Sequence, residues 1–264
     1  MTVTGLPFVA EGIRTYATHR SILRTYLFIP GALAIALLIT WPQATAQSVF
    51  LGGSPAEGFT VVSVTCLLIL LYLGGRYGAE DYSPETFVNL REYVTLTPAS
   101  VASLVAGKAV FSIVHTVFLV TLGAPFLLSA SSVSGAPRGS VAGVLAILAT
   151  AAFAARMYGL LLLAAMGQRR LLRSVVFLVG VGAFLLVTYL AWPGFNPLVM
   201  VIAARDGAPL LPVILFNLGA SLLMGAAVTA VLVLVRRAAR AGGAGRDGAT
   251  GASTEEAGGG DPRG

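Results

Sequence analysis

The chain has 264 residues, of which 56% are hydrophobic and only 11% are charged. A single water-facing globule of this length cannot bury so much apolar surface, so the composition excludes an ordinary soluble domain and makes lipid part of the solvent. The net charge of +6 argues little for a nucleic-acid partner, because the arginines stand at the ends of apolar segments, where they would face lipid phosphates.

Six apolar segments are predicted to cross a hydrocarbon core of about 30 Å as helices. They cover approximately residues 26–41, 59–75, 109–129, 141–166, 174–192 and 210–235. This predicts an all-α integral membrane protein, with a bundle of six transmembrane helices over residues 25–237. Residues 1–24 are expected to form a cytoplasmic, amphipathic interfacial helix, and the glycine-rich residues 238–264 a disordered cytoplasmic tail.

The region around the first span bears on how the chain enters the membrane. Apolar residues recur before it at helical spacing and would rest on the lipid surface: Val9, Ile13, Tyr16 and Leu23. Arg20 falls on the same face and weakens this stripe. After the span, Ala44-Thr45-Ala46 has the form of a signal-peptidase site. The segment before it is far longer than a signal peptide, so the first helix is expected to be retained.

Basic residues are distributed unevenly between the two sides of the predicted bundle. Fourteen of the 17 Lys and Arg residues fall on one side: Arg14, Arg20, Arg24, Arg76, Arg91, Lys108, Arg169, Arg170, Arg173, Arg236, Arg237, Arg240, Arg246 and Arg263. Only Arg138 and Arg205 fall on the other side, and Arg156 lies within a span. Since cytoplasmic loops carry the excess of positive charge, both termini are expected in the cytoplasm and the chain in the inner (cytoplasmic) membrane.

The longest polar connection joins the second and third spans and predicts a short helix along the membrane surface. Ser83-Pro84-Glu85 is a strong helix start, and Thr97-Pro98 stops the helix, which gives the range 84–96. Its faces differ in polarity: Phe87, Leu90 and Val94 share one, and Glu85, Asn89 and Glu92 share the other.

Periodicity leaves two interpretations of this helix open. One is an ordinary interfacial helix that covers the end of the bundle, and the other is a docking element for a partner. In either case, Thr97 and Pro98 are predicted to cap the next helix, which runs through Gly107 and Lys108 into the third span.

Two sets of residues carry a resemblance to a known family. The run Arg91-Glu92-Tyr93-Val94-Thr95-Leu96-Thr97-Pro98-Ala99-Ser100, with Gly107-Lys108 after it, resembles a stretch of the permease subunits of type-2 ATP-binding cassette (ABC) exporters. In that family an acidic helix, a Thr-Pro-x-Ser step and a Gly-Lys pair lead into the third span. Asn196-Pro197-Leu198 with Arg205 downstream is similar to the family's motif after the fifth span. The Gly-Thr that often precedes the Thr-Pro step is absent here.

The resemblance implies a transport subunit rather than an enzyme. Helix 84–96 would be a cytoplasmic coupling helix that docks on a separate ABC ATPase, and the implied coupling residues are Glu85, Arg91, Glu92, Thr97, Pro98, Gly107 and Lys108. ATP would be bound by that partner, and this chain would hold no cofactor or metal. The sequence agrees, because Gly107-Lys108 lacks the rest of a phosphate-binding loop.

The resemblance also implies a second permease copy, with the substrate path between the two copies in the lipid membrane. Residues 193–209 would form short re-entrant helices at the outer face around Asn196, Pro197 and Arg205.

Two polar residues within the spans are further candidates. Arg156 costs ~2.5–3.5 kcal/mol to place at the centre of a span. It would either line the translocation path and meet an anionic group of the substrate, or snorkel or bind a carbonyl in a structural role. His115 is expected to be a buried hydrogen-bonding residue rather than a proton relay. The only cysteine, Cys66, is expected to be a small buried apolar residue. Close helix packing is expected at Gly31, Gly123, Gly180, Gly182, Gly219 and Gly225.

Two other classes of membrane protein compete with the exporter subunit. A stand-alone secondary transporter or channel would be expected to carry intramembrane acids or interrupted helices in paired positions, and neither is evident in the sequence. A membrane-embedded enzyme would need a constellation of His, Asp and Glu in its loops, which is not evident either.

Overall fold

The structure, a computed structural model, describes residues 13–14, 20–41, 57–79, 90–96, 98, 100–167 and 169–254. Over these ranges the chain forms eight α-helices and no strand. In chain order the helices are α1 (Arg20–Thr40), α2 (Glu57–Ala79), α3 (Leu90–Leu96), α4 (Val101–Ser134), α5 (Arg138–Met166), α6 (Arg170–Ala191), α7 (Pro197–Ala203) and α8 (Leu211–Thr254). Two short 3-10 turns, Pro193–Phe195 and Ala204–Asp206, flank α7.

Six of these helices are long and apolar enough to cross a membrane, which confirms the prediction of an all-α, multi-pass membrane protein. The spans are Ile22–Thr40, Glu57–Ala79, Val101–Ser134, Gly139–Met166, Arg170–Ala191 and Leu211–Ala241. Each is longer than predicted at one end or both. The reason is that a helix need not stop where its apolar stretch stops, since its ends can continue into the polar edge of the bilayer.

The packing of α2 against α5 forms the centre of the bundle and is its most extensive helix contact. Glycines on α2 permit it: a Cβ added at Gly74 would lie 2.6 Å from the Ala152 carbonyl oxygen, and one at Gly78 would overlap the carbonyl of Arg156. Small residues allow helix backbones to approach in this way within lipid. α1 and α4 pack together beside α2, while α6 and α8 pack on α5.

The glycines predicted to serve helix packing divide into two groups. Gly123 faces Cys66, Gly180 faces Tyr158 and Gly225 faces Met157, whereas the other three have no neighbour within 4 Å of an added Cβ: Gly31, Gly182 and Gly219. The two closest approaches are at Gly75 and Gly78 of α2, where an added Cβ would overlap the ring of Phe177 and the carbonyl of Arg156. The helix continues to Ala79, beyond the predicted end of the second span near residue 75.

α3 lies at the end of the bundle where α2 ends and α4 begins, here called the α3 end. Leu90 and Val94 are buried there, in an apolar cluster that also contains Leu104, Met157, Leu160, Val228 and Leu232 of α4, α5 and α8. Glu92 is exposed, so the predicted division of the helix into an apolar and a polar face is confirmed for these residues. The predicted helix start and Glu85 lie outside the described residues.

The start of α4 differs from the prediction by three residues. Ser100, rather than Thr97 and Pro98, caps the helix: its hydroxyl accepts a hydrogen bond of 3.1 Å from the amide of Ser103, and α4 begins at Val101. A serine hydroxyl three residues before a free amide is a favoured N-cap, whereas proline has no side-chain acceptor. Beyond this start, α4 runs unbroken through Gly107 and Lys108 as predicted.

The two chain ends depart from the predicted domain boundaries. Residues 20–24 belong to α1 itself rather than to a separate helix, and most of the predicted interfacial segment lies outside the described residues, as does Ala44-Thr45-Ala46. In the predicted tail, the backbone of α8 stays helical to Thr254. Extending an existing helix costs far less than nucleating one, which favours continuation even through a glycine-rich sequence. Residues 255–264 are outside the described part.

Candidate functional site

Two arginines fasten α3 across the ends of two spans. Arg91 donates from Nε to the carbonyl oxygen of Ala164 at 2.9 Å and from Nη2 to that of Ala165, at the end of α5. From α8, Arg236 donates from Nε to the carbonyl oxygen of Val94 at 2.9 Å. These carbonyls belong to the last turns of their helices, where no amide of the same helix is available and where the helix dipole favours a cation. α3 is thereby fixed to α5 and α8.

The opposite side of α3 faces outward. Glu92, Thr95 and Leu96 are exposed, Leu96 to 74%, and the exposed Pro98 follows them. We call these four residues the α3 outer face. It combines a carboxylate, a hydroxyl and an uncovered leucine on a helix that is anchored from behind.

The implied coupling residues therefore separate by position. Glu92 and Pro98 are on the α3 outer face, while Arg91 is used within the bundle as an anchor. Gly107 is buried and Lys108 half-buried in α4, so neither belongs to that face. Glu85 and Thr97 lie outside the described residues.

Arg156 is inside the bundle, with 3% of its surface exposed. Its Nη1 contacts Nδ1 of His115 on α4, and Nε2 of that histidine lies 2.8 Å from the hydroxyl of Tyr26 on α1. Aromatic rings flank the guanidinium: its Cζ is 5.2 Å from the ring centroid of Phe111 and 6.0 Å from that of Tyr77 on α2. We call these five residues the Arg156 cluster. It joins four spans.

The chemistry of arginine fixes the direction of these hydrogen bonds. A guanidinium has donors and no acceptor, so Nδ1 of His115 must accept from Arg156 and carries no proton. The neutral imidazole then holds its proton on Nε2 and donates it to the oxygen of Tyr26. The cluster is therefore a directed chain from Arg156 through His115 to Tyr26, with cation–π contacts on its flanks. This agrees with the expectation of a buried hydrogen-bonding role for His115.

At the opposite end of the bundle, here called the α7 end, Asn196 organises the connection between the last two spans. Its Oδ1 accepts from the amides of Leu198 at 2.8 Å and Val199 at 3.2 Å, which caps α7. Its Nδ2 donates to the Leu185 carbonyl at 2.7 Å and to the Thr188 hydroxyl at 3.0 Å, which ties α7 to α6. One buried side chain thus caps α7 and binds it to α6.

Pro197 and Arg205 lie in the same connection, at the start of α7 and in the turn after it. Pro197 is buried at the first position of α7, where its missing amide proton costs nothing. Arg205 is half-buried in the 3-10 turn after α7. Short helices therefore occupy residues 193–206, as the sequence predicts for 193–209, and their irregular backbone is packed against the neighbouring helices.

Several residues of these sites could not be recognised in the sequence. In the sequence, Arg236 and Arg173 are indistinguishable from the many other basic residues at span ends. In the structure, Arg236 holds α3, and the buried Arg173 donates to the carbonyl of Gly167 after α5. Tyr26 stands at the start of the first predicted span and Tyr77 just beyond the end of the second, and neither position marks it as a functional residue. Both tyrosines are far from His115 in the sequence, so no local pattern indicates that they meet it in the cluster.

Comparisons with protein-family models, with curated proteins and with solved structures give no match to this chain. In the part of the chain that the structure describes, no three His, Cys, Asp or Glu side chains are grouped so that they could hold a metal ion.

Proposed function

We propose that this chain is the transmembrane permease subunit of an ATP-driven exporter of the type-2 ABC class. It would move its substrate with a second permease copy and draw energy from a separate ATPase subunit that binds the ATP. The observation that carries the proposal is α3, a short surface helix fastened to α5 and α8 by Arg91 and Arg236, with the α3 outer face uncovered.

The way in which α3 is attached suits the transmission of movement. A partner that pushes on the α3 outer face would move α5 through Arg91 and α8 through Arg236, because both contacts end on main-chain carbonyls. The apolar cluster beneath Leu90 and Val94 adds contact with the start of α4. An ordinary interfacial helix that only covers apolar surface has no need of these two charged anchors.

The Arg156 cluster has a place in the same proposal. Arg156 is on α5, whose end α3 holds, and through His115, Tyr26 and Tyr77 it contacts α4, α1 and α2. We assign it to linking these four spans, so that they shift together when the ATPase closes. If transport exposes the cluster to the substrate path, Arg156 would in addition contact an anionic group of the substrate.

The direct test is purification of the tagged chain in mild detergent, followed by mass spectrometry of the proteins that remain bound. The proposal expects a soluble ATPase in stoichiometric amount. Glu92→Arg with Leu96→Glu on the α3 outer face should abolish its recovery. The matched control is Glu57→Arg, a charge reversal at an exposed position at the α7 end, which should leave recovery unchanged.

Two results of this experiment would contradict the proposal. A chain that purifies alone and transports without ATP would be a stand-alone transporter or channel, and the proposal would be overturned. Recovery of the ATPase by the Glu92 and Leu96 variant at the level of the native chain would contradict docking on α3. Arg156→Gln should lower transport and substrate-stimulated ATP hydrolysis by the assembled complex, and unchanged values would remove Arg156 from the mechanism.

A further inference from the structure

An apolar cleft runs between α6 and α8, with α5 as its floor. Its volume is about 250 Å³, and its wall includes Ala151, Ala155, Gly180, Phe184, Ala220 and Met224. α6 and α8 are the two spans that bury least in the bundle, with 11% and 17% of their apolar stretches buried. Lipid molecules around the protein therefore reach both sides of the cleft. At one end the rings of Phe184 and Phe216 stack 6.0 Å apart and bridge the two helices.

Asn217 on α8 brings a polar group into this apolar wall. Its side chain is 3% exposed, and among the residues that the structure describes none accepts a hydrogen bond from its Nδ2. An amide donor without an acceptor is costly in lipid, where no bulk water can replace the missing partner. A buried amide in this state calls for an acceptor supplied from outside the chain.

The cleft does not offer the surroundings that a water molecule needs. A buried water makes two to four hydrogen bonds, but the only other polar side chain in the wall is that of Tyr158, whose hydroxyl donates to the carbonyl of Val176 at 3.4 Å. The nearby Leu185 carbonyl is taken by Asn196. An occupant with one acceptor atom and an otherwise apolar body fits this wall better.

The position of Asn217 along the span indicates what that occupant is. Asn217 lies in the second turn of α8, about 9 Å from the helix start at 1.5 Å per residue. Ala220 and Met224 follow on the same face and extend the cleft roughly 10 Å further towards the middle of the span. The acceptor is thus expected near the edge of the hydrocarbon core and the apolar body deeper, as in a lipid whose ester carbonyls lie at the head of its acyl chains.

We propose that the cleft between α6 and α8 binds one acyl chain of a membrane lipid, whose carbonyl oxygen accepts the hydrogen bond from Nδ2 of Asn217. This inference does not depend on the exporter function, because it rests on α5, α6 and α8 alone. A free fatty acid carries the same carbonyl and chain, so the chemistry of the site is shared between the two sources.

The test compares two probes that differ only in the acceptor. Full-length protein is purified in an alkyl glycoside detergent, which has no carbonyl, and titrated with a diester phosphatidylcholine or with its diether analogue of equal chain length. Bound lipid is counted by native mass spectrometry. The diester should bind roughly three- to tenfold more tightly, as expected for one net hydrogen bond.

Two variants and one control locate the site. Asn217→Leu should remove the preference for the diester while retaining binding of the diether. Ala220→Phe should fill the cleft and weaken the binding of both. Leu223→Phe, at a position of α8 that is 74% exposed, adds the same ring on the outer surface and should change neither.

Three results would overturn the proposal: equal binding of the two probes by the native chain, a preference that survives Asn217→Leu, or full binding by Ala220→Phe. The first of these needs no variant, so the test does not depend on how a variant folds. Competition with hexadecanoic acid then distinguishes the sources. Displacement of the diester at equal concentration would assign the cleft to a free fatty acid and would also overturn the assignment to a membrane lipid, whereas failure of displacement supports the phospholipid.

Discussion

Arg236 and Val94 are 142 positions apart in the chain, yet the Nε of Arg236 donates to the Val94 carbonyl at 2.9 Å and so joins the last span to α3. Arg236→Met should therefore loosen α3. A hydrogen bond from a charged donor contributes about 1.5–3 kcal/mol, so amide exchange within residues 90–96 should accelerate roughly ten- to hundredfold. Hydrogen exchange with mass spectrometry measures this directly.

Arg237→Met is the matched control for this prediction, since Arg237 is the exposed neighbour of Arg236 on the same helix. It should leave exchange in α3 as it is in the native chain. Equal acceleration by both variants would mean that the charge of the segment, rather than the bond to Val94, holds α3 in place.

Gly78 and Gly182 should respond to the same substitution with opposite signs. A Cβ at Gly78 would overlap the backbone carbonyl of Arg156, so Gly78→Ala should force α2 and α5 apart and destabilise the protein by about 1–3 kcal/mol. An added Cβ at Gly182 meets nothing within 4 Å. Gly182→Ala should be neutral or stabilise by about 0.5–1 kcal/mol, because alanine favours helix. Unfolding in detergent gives both values, and a stable Gly78→Ala would contradict the packing of α2 on α5.

The sequence predicts the six spans but not the contacts between them. Both outcomes have the same physical origin. Insertion into lipid depends on the apolar content of a local stretch, which the sequence displays directly. Which helices then meet depends on small surfaces from separate spans, such as Gly74 with Ala152. Three glycines chosen only for lying within spans have open space around them, because their position along a helix does not tell which side faces the bundle.

The candidate sites show the same division. The division of α3 into buried Leu90 and Val94 and exposed Glu92 follows from helical spacing and was predicted. The use of Arg91 as an anchor on α5 was not, because its acceptors are main-chain carbonyls that any sequence possesses. Arg156 and His115 each stood out as polar residues in apolar spans, but nothing local indicates that they meet.

The contact between Arg156 and His115 predicts a coupling in a double-mutant cycle of Arg156→Met and His115→Phe. Each single variant leaves the remaining partner buried without this hydrogen bond, whereas the double variant removes both groups. The double variant should therefore lose less stability than the sum of the two single losses, by about 0.5–3 kcal/mol. Denaturant titration in micelles measures the cycle. Strict additivity would show that the two side chains act independently.

Asn196 both caps α7 and binds it to α6, and substitution by aspartate or by alanine distinguishes these two contributions. Asn196→Asp keeps the oxygen that accepts from Leu198 and Val199 but loses the donor to Leu185, while Asn196→Ala loses both. The Leu198 and Val199 amides should therefore exchange faster in the alanine variant than in the aspartate variant, in keeping with the ~0.5–2 kcal/mol of an N-cap. Equal exchange in the two variants would mean that the tie to α6, and not the cap, holds α7.

Asn217 gives a prediction whose size depends on lipid. In lipid-free alkyl glycoside, Asn217→Leu removes a buried donor that lacks an acceptor, so it should raise the free energy of unfolding by about 1–3 kcal/mol. Diester lipid at a hundred times its dissociation constant should then stabilise the native chain by about 2.7 kcal/mol and the variant by less, which narrows or reverses the difference. Thermal unfolding with and without the diester checks both parts. A variant that is less stable than the native chain in lipid-free detergent would show that Nδ2 of Asn217 already has its acceptor within the protein.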